Sequence, residues 1–247
     1  IFMYPLMKNN KFKFSKNPIL IAITGDSSSG KTTLTKSLVS FFGIGASLII
    51  SGDDYHKYER GHKMWKKGTH LNPEFNNLDK LEKDIRKLHN YQKVFSTTYD
   101  HKTGNFTEEK KFTSKEIILV EGLHSLYRRS LNKIYDLKIY IEIEENLRKK
   151  LKIERDIKVR NKKKDEVLKS LEARAKDSLE FIHPQKENSD LAFRLNSVKE
   201  NKVDLDVSIK NIYLDFMLFE KLLRKLNIDF VLHLSLIHIS EPTRPQC

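Results

Sequence analysis

Cysteine is almost absent from this chain, and its absence excludes several kinds of chemistry. Cys247 is the only cysteine among the 247 residues. A disulfide within the chain, a zinc site built on cysteines and a cysteine nucleophile are therefore excluded.

Long apolar runs are missing as well. The longest one near the C-terminus, residues 230–239, is interrupted by His233, Ser235 and His238 and is too short to span a bilayer. At the other end, the lysines that begin with Lys8 follow the short apolar start, which is not the order of a signal peptide. The sequence therefore predicts a cytoplasmic protein with no membrane partner.

The composition is basic, since 46 Lys and Arg face 33 Asp and Glu for a net charge of +13. Such an excess suits nucleic acid, a membrane surface or small anionic substrates. A plain bias toward lysine is an equally good interpretation, because asparagine and isoleucine are abundant too. The length favours one domain of α/β size with a sizeable core.

Among the residues that are present, one run is notable for its glycines and its lysine. It is Gly25-Asp26-Ser27-Ser28-Ser29-Gly30-Lys31-Thr32-Thr33, which has the Walker A pattern G-x-x-x-x-G-K-[ST]. The apolar run 19–23 before it is typical of a buried parallel strand. Leu34, Leu38 and Phe41 after it are spaced as on one face of a helix. Strand, glycine-rich turn and helix form the context that this motif requires.

The residue types of this turn suit the binding of phosphates. Gly25 and Gly30 allow the backbone to approach closely, which a Cβ would prevent. The N–H groups of the turn and of the helix N-terminus then face an anion. Lys31 is placed to reach the β- and γ-phosphates, and the Thr32 hydroxyl is placed to face Mg²⁺. We therefore expect residues 25–33 to bind ATP, with Mg²⁺ as the accompanying ion.

Strands and helices alternate along the rest of the chain. The patterns predict strands at 47–51, 116–122, 137–143, 191–195 and 203–209, helices at 78–88, 146–160, 165–182 and 214–226, and a small hairpin within 95–111. This alternation is typical of a mostly parallel sheet with helices on both faces. The predicted fold class is α/β, a P-loop NTPase fold.

Acidic side chains follow two of the predicted strands. Asp53 and Asp54 come directly after 47–51, and Glu121 ends the run 117–120. Ligands bind at the carboxyl ends of strands in open α/β sheets. Glu121 is expected to hold Mg²⁺, directly or through water, and one of the aspartates to take a proton from a substrate hydroxyl. The alternatives are a surface glutamate at a strand end, and a helix cap or turn built by the aspartates.

The helix predicted at 146–160 is strongly basic. Its cations are Arg148, Lys149, Lys150, Lys152, Arg155, Lys158 and Arg160. They form either a solvated face or a basic helical lid that closes over ATP, with Arg155 and Asp156 as its working residues. In the helix 165–182, which His183-Pro184 ends, we predict a buried stripe of Leu168, Leu171, Ala175, Leu179 and Ile182.

Taken in order, these motifs resemble the phosphoribulokinase/uridine kinase family, and most of all its plant and cyanobacterial phosphoribulokinase branch. The similarity covers about residues 19–195. It rests on the segments 25–33, Asp53-Asp54-Tyr55-His56, Asn76-Asn77-Leu78-Asp79, Tyr99-Asp100-His101-Lys102-Thr103-Gly104, Glu121-Gly122-Leu123-His124, Arg155-Asp156, Leu171-Glu172-Ala173-Arg174 and His183-Pro184-Gln185-Lys186. Walker A alone is unspecific, whereas the ordered set is specific to the family.

The resemblance implies an ATP- and Mg²⁺-dependent kinase that phosphorylates a sugar hydroxyl of a small molecule, with ribulose 5-phosphate as the leading acceptor. By position, Asp53 matches the family's catalytic base and Glu121 its Walker B acid. Lys31, Arg155 and Asp156 complete the catalytic set. The residues that match the acceptor site and the lid cations are His56, Arg60, Tyr99, His101, Lys152 and Arg160.

The chain departs from the family pattern at three places. Ser29 stands where the plant-type enzymes have a P-loop cysteine, which excludes thiol control through that residue. Asp100 replaces an asparagine, which resembles uridine kinases, and Glu59 replaces an aspartate before Arg60. A uridine/cytidine kinase, or a kinase of another pentose-like metabolite, is therefore the alternative. His56 and Arg60 favour a phosphorylated sugar, because a guanidinium binds phosphate through two parallel hydrogen bonds.

We expect a kinase domain at 18–233 after an extension at 1–17. Residues 234–247 resemble translated sequencing-adapter sequence, so we expect them to be foreign and the native chain to continue past about residue 233. A genuine polar tail is the alternative. No nucleic-acid partner is expected, because the basic helix lacks interleaved aromatic residues, and a nucleic-acid-associated P-loop protein is the remote alternative. The oligomeric state stays open, with a homo-oligomer among the alternatives.

Overall fold

The structure is a computed structural model that describes residues 17–160, 162–197 and 203–210. Nearly all of the extension predicted at 1–17 lies outside the described residues, as do the helix predicted at 214–226 and the tail 234–247. These expectations stay predictions, and so do the domain limits at 18–233.

Eight strands form two sheets in the part of the chain that the structure describes. They are β1 (Ile19–Gly25), β2 (Ser47–Ser51), β3 (Lys93–Ser96), β4 (Lys110–Thr113), β5 (Ile117–Gly122), β6 (Leu137–Ile143), β7 (Leu191–Ser197) and β8 (Val203–Ile209). Six of them make one sheet in the order β2-β5-β1-β6-β7-β8, parallel except for the pair β7 and β8. β3 and β4 pair antiparallel on their own. The mostly parallel sheet and the small excursion between strands agree with the sequence patterns.

Helices connect these strands and cover the sheet. Those within the described ranges are α1 (Lys31–Phe42), α2 (Leu78–His89), α3 (Arg129–Asn132), α4 (Glu145–Lys158) and α5 (Lys164–Asp177). On one face, alternate residues of β1 and β5, such as Leu20 and Val120, share a core cluster with α2. Successive strand residues point to opposite faces, and Glu121 accordingly accepts a hydrogen bond from Thr35 of α1 on the other face. None of these helices is long and apolar enough to cross a membrane.

The parallel register brings three turns to one edge of the sheet. Ile23 of β1 and Ser51 of β2 both lie opposite Glu121 of β5. The turns that follow these three strands are therefore neighbours. Gly52 and Gly122 come so close that a Cβ on Gly122 would lie 3.0 Å from the Cα of Gly52. Neither position has room for a side chain.

One stripe of charged side chains on the basic helix α4 faces the protein interior. Arg148, Lys152 and Asp156 are buried at a spacing of four residues, while Leu151 and Ile157 are each 39% exposed. The solvated-face alternative is therefore wrong for this stripe. The apolar residues point outward because the polar stripe lies against the site described below.

The buried stripe predicted for the next helix is wrong in part. Leu171 and Ile182 are buried as expected, but Leu168 and Leu179 are 37% and 65% exposed, and Ala175 is exposed too. The inward face consists of Val167, Leu171, Arg174, Ser178 and Ile182. Two of these are polar, so a search for apolar spacing passes over them. The α-helix also ends at residue 177, and a π-helical turn at 178–182 adds one residue to the period.

A buried glutamine ties this turn to the sheet. Gln185 is 3% exposed and its amide donates to the carbonyls of Leu123 (2.7 Å) and Phe181 (2.8 Å). Its side-chain oxygen accepts from the Leu126 N–H at 3.1 Å and from the Thr24 hydroxyl at 3.4 Å. The end of β1, the segment after β5 and the π-helical turn are thus joined through one side chain.

Replacing Gln185 by leucine should lower the free energy of unfolding by about 2 to 4 kcal/mol, because buried backbone groups lose their partners. Chemical denaturation measures this loss. Gln92→Leu, at an exposed glutamine, is the matched control and should change stability by less than about 0.5 kcal/mol. Equal effects of the two substitutions would contradict the role assigned to the Gln185 network.

Candidate active site

The Walker A run forms a tight loop between β1 and α1, and we call residues 25–30 the phosphate loop. A Cβ on Gly25 would lie 2.2 Å from the Ile141 carbonyl oxygen, and φ is +97° at Gly30. Ser28 also has a positive φ of 68°. The hydroxyls of Ser28 and Ser29 are buried and find no hydrogen-bond partner among the described residues. Such orphaned donors and a backbone cradle fit the oxygens of a polyphosphate.

The ammonium of Lys31 reaches back into this loop. It donates to the carbonyls of Gly25 at 3.0 Å and Asp26 at 2.7 Å. Burial lowers the pKa of Lys31, while the carboxylates of Asp53, Asp26 and Glu121 act in the opposite direction. The predicted phosphate-binding lysine thus lies where carboxylates from the three neighbouring turns converge.

The carboxylate of Asp26 is engaged by other parts of the protein. It accepts hydrogen bonds from the Ser178 hydroxyl at 2.5 Å and from the Ser27 N–H at 2.6 Å, and Arg148 of α4 lies 3.5 Å away. Asp26 therefore fixes the phosphate loop against α4 and the π-helical turn. Thr32 and Thr33, by contrast, are exposed at the start of α1.

Thr32 and Glu121 are the residues predicted to hold Mg²⁺. Glu121 is the penultimate residue of β5 and is half-buried, with its carboxylate 2.9 Å from the Thr35 hydroxyl, one helical turn after Thr32. Within the described residues, no group of three or more His, Cys, Asp or Glu is arranged to hold a metal ion. A Mg²⁺ site needs fewer protein ligands, because the ion keeps several waters and also binds substrate phosphates. Thr32 and Glu121 offer oxygen ligands of the kind that Mg²⁺ takes, and their role stays a prediction.

Asp53 lies in the short turn after β2. Ser51, rather than Asp53, caps this turn by accepting from the Asp53 N–H at 3.3 Å. The Asp53 carboxylate is instead 3.0 Å from Nε2 of His101 and 3.6 Å from Nε2 of His56. Burial opposes its charge, but the hydrogen bond from His101 and the nearby histidines hold the pKa of Asp53 below its ordinary value. The carboxylate is therefore ionised and directed into the site.

Asp54 does a different job from its neighbour. Its carboxylate accepts from the Tyr99 N–H at 2.7 Å and so anchors the segment between β3 and β4. Burial raises the pKa of Asp54 to about 6. Of the two candidate bases, Asp54 positions the Tyr99 segment, and Asp53 has its carboxylate against two histidines.

Aromatic rings and histidines form a wall around Asp53. The ring of His56 lies 5.0 Å from Tyr99 and 5.2 Å from His70, and Tyr99 lies 5.2 Å from His101. Burial lowers the pKa of His56 and of His70. His70 belongs to the acceptor loop, by which we mean residues 61–77, and sequence reasoning did not find it. The loop has no periodic pattern, so nothing local marks this histidine.

Arg60 lies at the exposed rim of the same wall. Its guanidinium donates to the carbonyls of His101 at 2.6 Å and Lys102 at 3.0 Å. Gly104 packs against it with φ of +82°, where a Cβ would lie 2.4 Å from the Arg60 Cβ. In this structure Arg60 holds the turn 99–104 in place, and both hydrogen-bonding arms of its fork are in use.

Cations from α4 and its C-terminal end surround one carboxylate. Asp156 accepts from Lys152 at 3.2 Å and from Arg155 at 2.8 and 2.9 Å, and Arg160 lies 3.6 Å away. Burial opposes the charge of Asp156, but these cations lower its pKa to about 2. Lys152 is 1% exposed, and burial together with the charge of Arg174 lowers its pKa to about 7.

Arg174 of α5 is a further cation that sequence reasoning quoted in a motif without giving it a role. Burial lowers its pKa to about 10, and Asp156 and Asp26 act against that shift. Apolar spacing did not predict that Arg174 lies on the inward face of α5, because that face is partly polar. Five basic side chains thus approach the same region as Asp53 and Asp156. They are the predicted Lys31, Lys152, Arg155 and Arg160, together with Arg174.

Comparison with known proteins identifies the family. The model of the "Phosphoribulokinase / Uridine kinase family" matches residues 20–204. The chain belongs to this family. Its relatives include phosphoribulokinase of Synechocystis sp., 32% identical over 190 residues, which cover 75% of this chain and 57% of that protein. Uridine kinase of Clostridium tetani is 30% identical over 203 residues, covering 80% of this chain and 96% of that protein.

Solved structures of two kinases share the fold. Phosphoribulokinase from Rhodobacter spheroides superposes with a TM-score of 0.66 at 23% identity, covering 84% of this chain and 85% of that one. D-glycerate 3-kinase from Cryptococcus neoformans superposes with a TM-score of 0.54 at 12% identity, covering 78% and 92%. The chain spans about half the length of the curated phosphoribulokinases, 57% for Synechocystis and 52% for Chlamydomonas reinhardtii. It spans nearly all of the uridine kinase.

The buried lysine of the lid gives a prediction about pH. The folded-state pKa of Lys152 is about 7 against an ordinary 10.5, so between these values the unfolded chain binds more protons. Stability of the wild type relative to Lys152→Met should therefore rise as pH rises from 7 to 10.5 and fall as pH drops. The slope is at most about 1.4 kcal/mol per pH unit. Denaturation curves recorded across this range measure it.

Lys158→Met, at an exposed lysine of the same helix, is the matched control. Curves for the wild type and Lys152→Met that stay parallel over the whole range would contradict the lowered pKa of the buried Lys152.

Proposed function

We propose that this chain is a kinase that transfers the γ-phosphate of ATP to a hydroxyl of ribulose 5-phosphate, giving ribulose 1,5-bisphosphate. The observation that carries the proposal is the pairing of a phosphate cradle with an ionised carboxylate. Lys31 donates into the phosphate loop, the Asp53 carboxylate lies 3.0 Å from Nε2 of His101, and Asp53 is the carboxylate that most strongly opposes the lowering of the Lys31 pKa. Phosphoryl transfer needs this combination of charge neutralisation and hydroxyl positioning.

Each half of the site has a part in the transfer. The phosphate loop and Lys31 would hold the β- and γ-phosphates. Asp53 would accept the proton of the acceptor hydroxyl. As that proton leaves, the hydroxyl oxygen would bond to the γ-phosphorus, and the bond between the γ-phosphorus and the bridging oxygen of the β-phosphate would break. Mg²⁺, when bound, neutralises phosphate charge, and Thr32 and Glu121 are the residues that would hold it.

The cations of the lid would stabilise the γ-phosphate during its transfer. Lys152 and Arg155 are held by Asp156 in fixed positions, so they need little reorganisation when negative charge develops on the γ-phosphate. Arg160 and Arg174 extend the same positive region. His56, Tyr99 and His101 would line the space for the sugar.

The surplus of positive charge supports a phosphorylated acceptor. Four basic side chains surround the carboxylate of Asp156, so positive charge exceeds negative charge around this residue; they are Lys152, Arg155, Arg160 and Arg174. Arg60 would add to it if its fork exchanged the carbonyls of His101 and Lys102 for phosphate oxygens.

A uridine or cytidine kinase is the second candidate, supported by the length match with the Clostridium tetani protein. The residue that favoured it in the sequence was Asp100. In the structure, the Asp100 carboxylate accepts from the Lys102 N–H at 2.8 Å and the Thr103 hydroxyl at 3.0 Å. It therefore stabilises its own turn, which weighs against a direct contact with a nucleoside.

The acceptor is tested by offering ribulose 5-phosphate and uridine separately to the full chain with ATP and Mg²⁺. We expect ADP release with ribulose 5-phosphate alone, because an anionic acceptor matches the positive lid. ADP release with uridine alone would overturn the proposed acceptor and leave the kinase assignment standing. Release with neither, from a folded protein, would overturn both named acceptors and leave another pentose-like metabolite as the candidate.

Asp53→Asn should keep ATP binding and lower kcat by about 10²- to 10⁴-fold, as expected for the loss of a general base. Steady-state turnover and binding of a fluorescent ATP analogue give the two quantities. Asp204→Asn, at an exposed aspartate of β8, is the matched control. A kcat for Asp53→Asn close to that of the wild type would move the base role to another residue.

A further inference from the structure

Two consecutive residues at the end of α5 bind two different loops of the site. Asp177, the last residue of α5, accepts a hydrogen bond from the Thr69 hydroxyl of the acceptor loop at 2.6 Å. Ser178, the first residue of the π-helical turn, donates to the Asp26 carboxylate of the phosphate loop at 2.5 Å. Adjacent helical residues point about 100° apart, so one short segment can address two separate elements.

On the side of the phosphate loop, one residue, Asp26, connects Ser178 to Lys31. Asp26 accepts from Ser178 through its carboxylate and from the Lys31 ammonium through its carbonyl, at 2.7 Å. Asp26 and Ser178 are 5% and 4% exposed. A hydrogen bond to a carboxylate in such a buried place is strong and costly to break. A shift of Ser178 would therefore move the residue that holds Lys31.

On the acceptor side, the link reaches Asp53 through neighbouring rings. Thr69 also accepts from the Leu71 N–H at 3.1 Å, which fixes the backbone around His70. The His70 ring lies 5.2 Å from that of His56, whose Nε2 is 3.6 Å from the Asp53 carboxylate. A shift of Asp177 would therefore move the wall against which Asp53 is held.

We propose that Asp177 and Ser178 are positioning residues that couple the phosphate loop to the acceptor loop. When nucleotide fills the phosphate loop, Asp26 is fixed, Ser178 and Asp177 are fixed with it, and Thr69 orders the acceptor loop. Because coupling between two sites is reciprocal, an acceptor in its site tightens nucleotide binding by the same factor. The inference rests on the proposed function only in that the phosphate loop takes a nucleotide.

Amide hydrogen exchange of residues 61–77, with and without a non-hydrolysable ATP analogue, tests the coupling. In the wild type, the analogue should slow exchange in this loop. In Ser178→Ala most of that protection should be lost, by about three- to tenfold in exchange rate, the equivalent of one hydrogen bond. The affinity for the analogue should change less than the protection does, because the Ser178 hydroxyl donates to the Asp26 carboxylate and acts on Lys31 through that residue.

Variants on the other link make the test independent of one substitution. Thr69→Val should abolish the protection to the same extent, and Thr69→Ser, which keeps the hydroxyl, should restore it. The double variant Ser178→Ala/Thr69→Val should lose no more than either single variant, because the two links act in series. Ser170→Ala, two turns earlier on α5, is the matched control and should keep full protection.

The outcomes separate this inference from the proposed function. Unchanged protection in Ser178→Ala, no protection in the wild type that binds the analogue, or additive losses in the double variant would each overturn the coupling. A wild type that binds the analogue and protects the loop, yet phosphorylates neither ribulose 5-phosphate nor uridine, would overturn the acceptor and leave the coupling standing. A wild type that fails to bind the analogue would overturn both.

Discussion

The parallel pairing of β1, β2 and β5 is the constraint on which the rest of the molecule depends. Because the three strands run the same way with Ile23 and Ser51 opposite Glu121, their carboxyl ends meet at one edge. The phosphate loop, the Asp53 turn and Glu121 are neighbours for this reason alone. The direct contact of Gly52 with Gly122 sets how close they come. Helices and loops then add side chains to a geometry that the strands have already set.

Charge is the second organising element, because charged side chains are buried here at positions where a fold ordinarily buries apolar ones. Burying Lys152 and Arg174 costs free energy, which the carboxylate of Asp156 and, for Arg174, that of Asp26 offset only in part. An anionic substrate between α4, α5 and the phosphate loop would supply the missing negative charge. The apolar side chains Leu151 and Ile157 face outward as a result. The free protein is therefore less stable than it would be with an apolar stripe. Binding of an anion would restore part of that lost stability.

Local pattern predicted much of this molecule, and the failures have physical causes. Continuous apolar runs predicted the central strands, and the Walker A spacing predicted the phosphate loop, because both depend on near neighbours in the chain. The stripe of α5 was wrong because Ser178 faces inward to meet Asp26, 152 residues away in the chain, and Arg174 faces inward toward the carboxylate of Asp156 on α4. His70 was missed because an irregular loop carries it to His56. The roles of Asp53 and Asp54 were separable only once Tyr99 and His101 were seen beside them.

The π-helical turn at 178–182 holds one residue more than an α-helical turn of the same rise would. The additional residue lies inside a continuous helical path. Its removal would rotate every later residue by about 100° relative to α5. Gln185 would then swing away from Leu123 and Thr24, while Val167 and Leu171 stayed in place. The extra residue therefore sets the phase between the polar face of α5 and the glutamine that anchors the sheet.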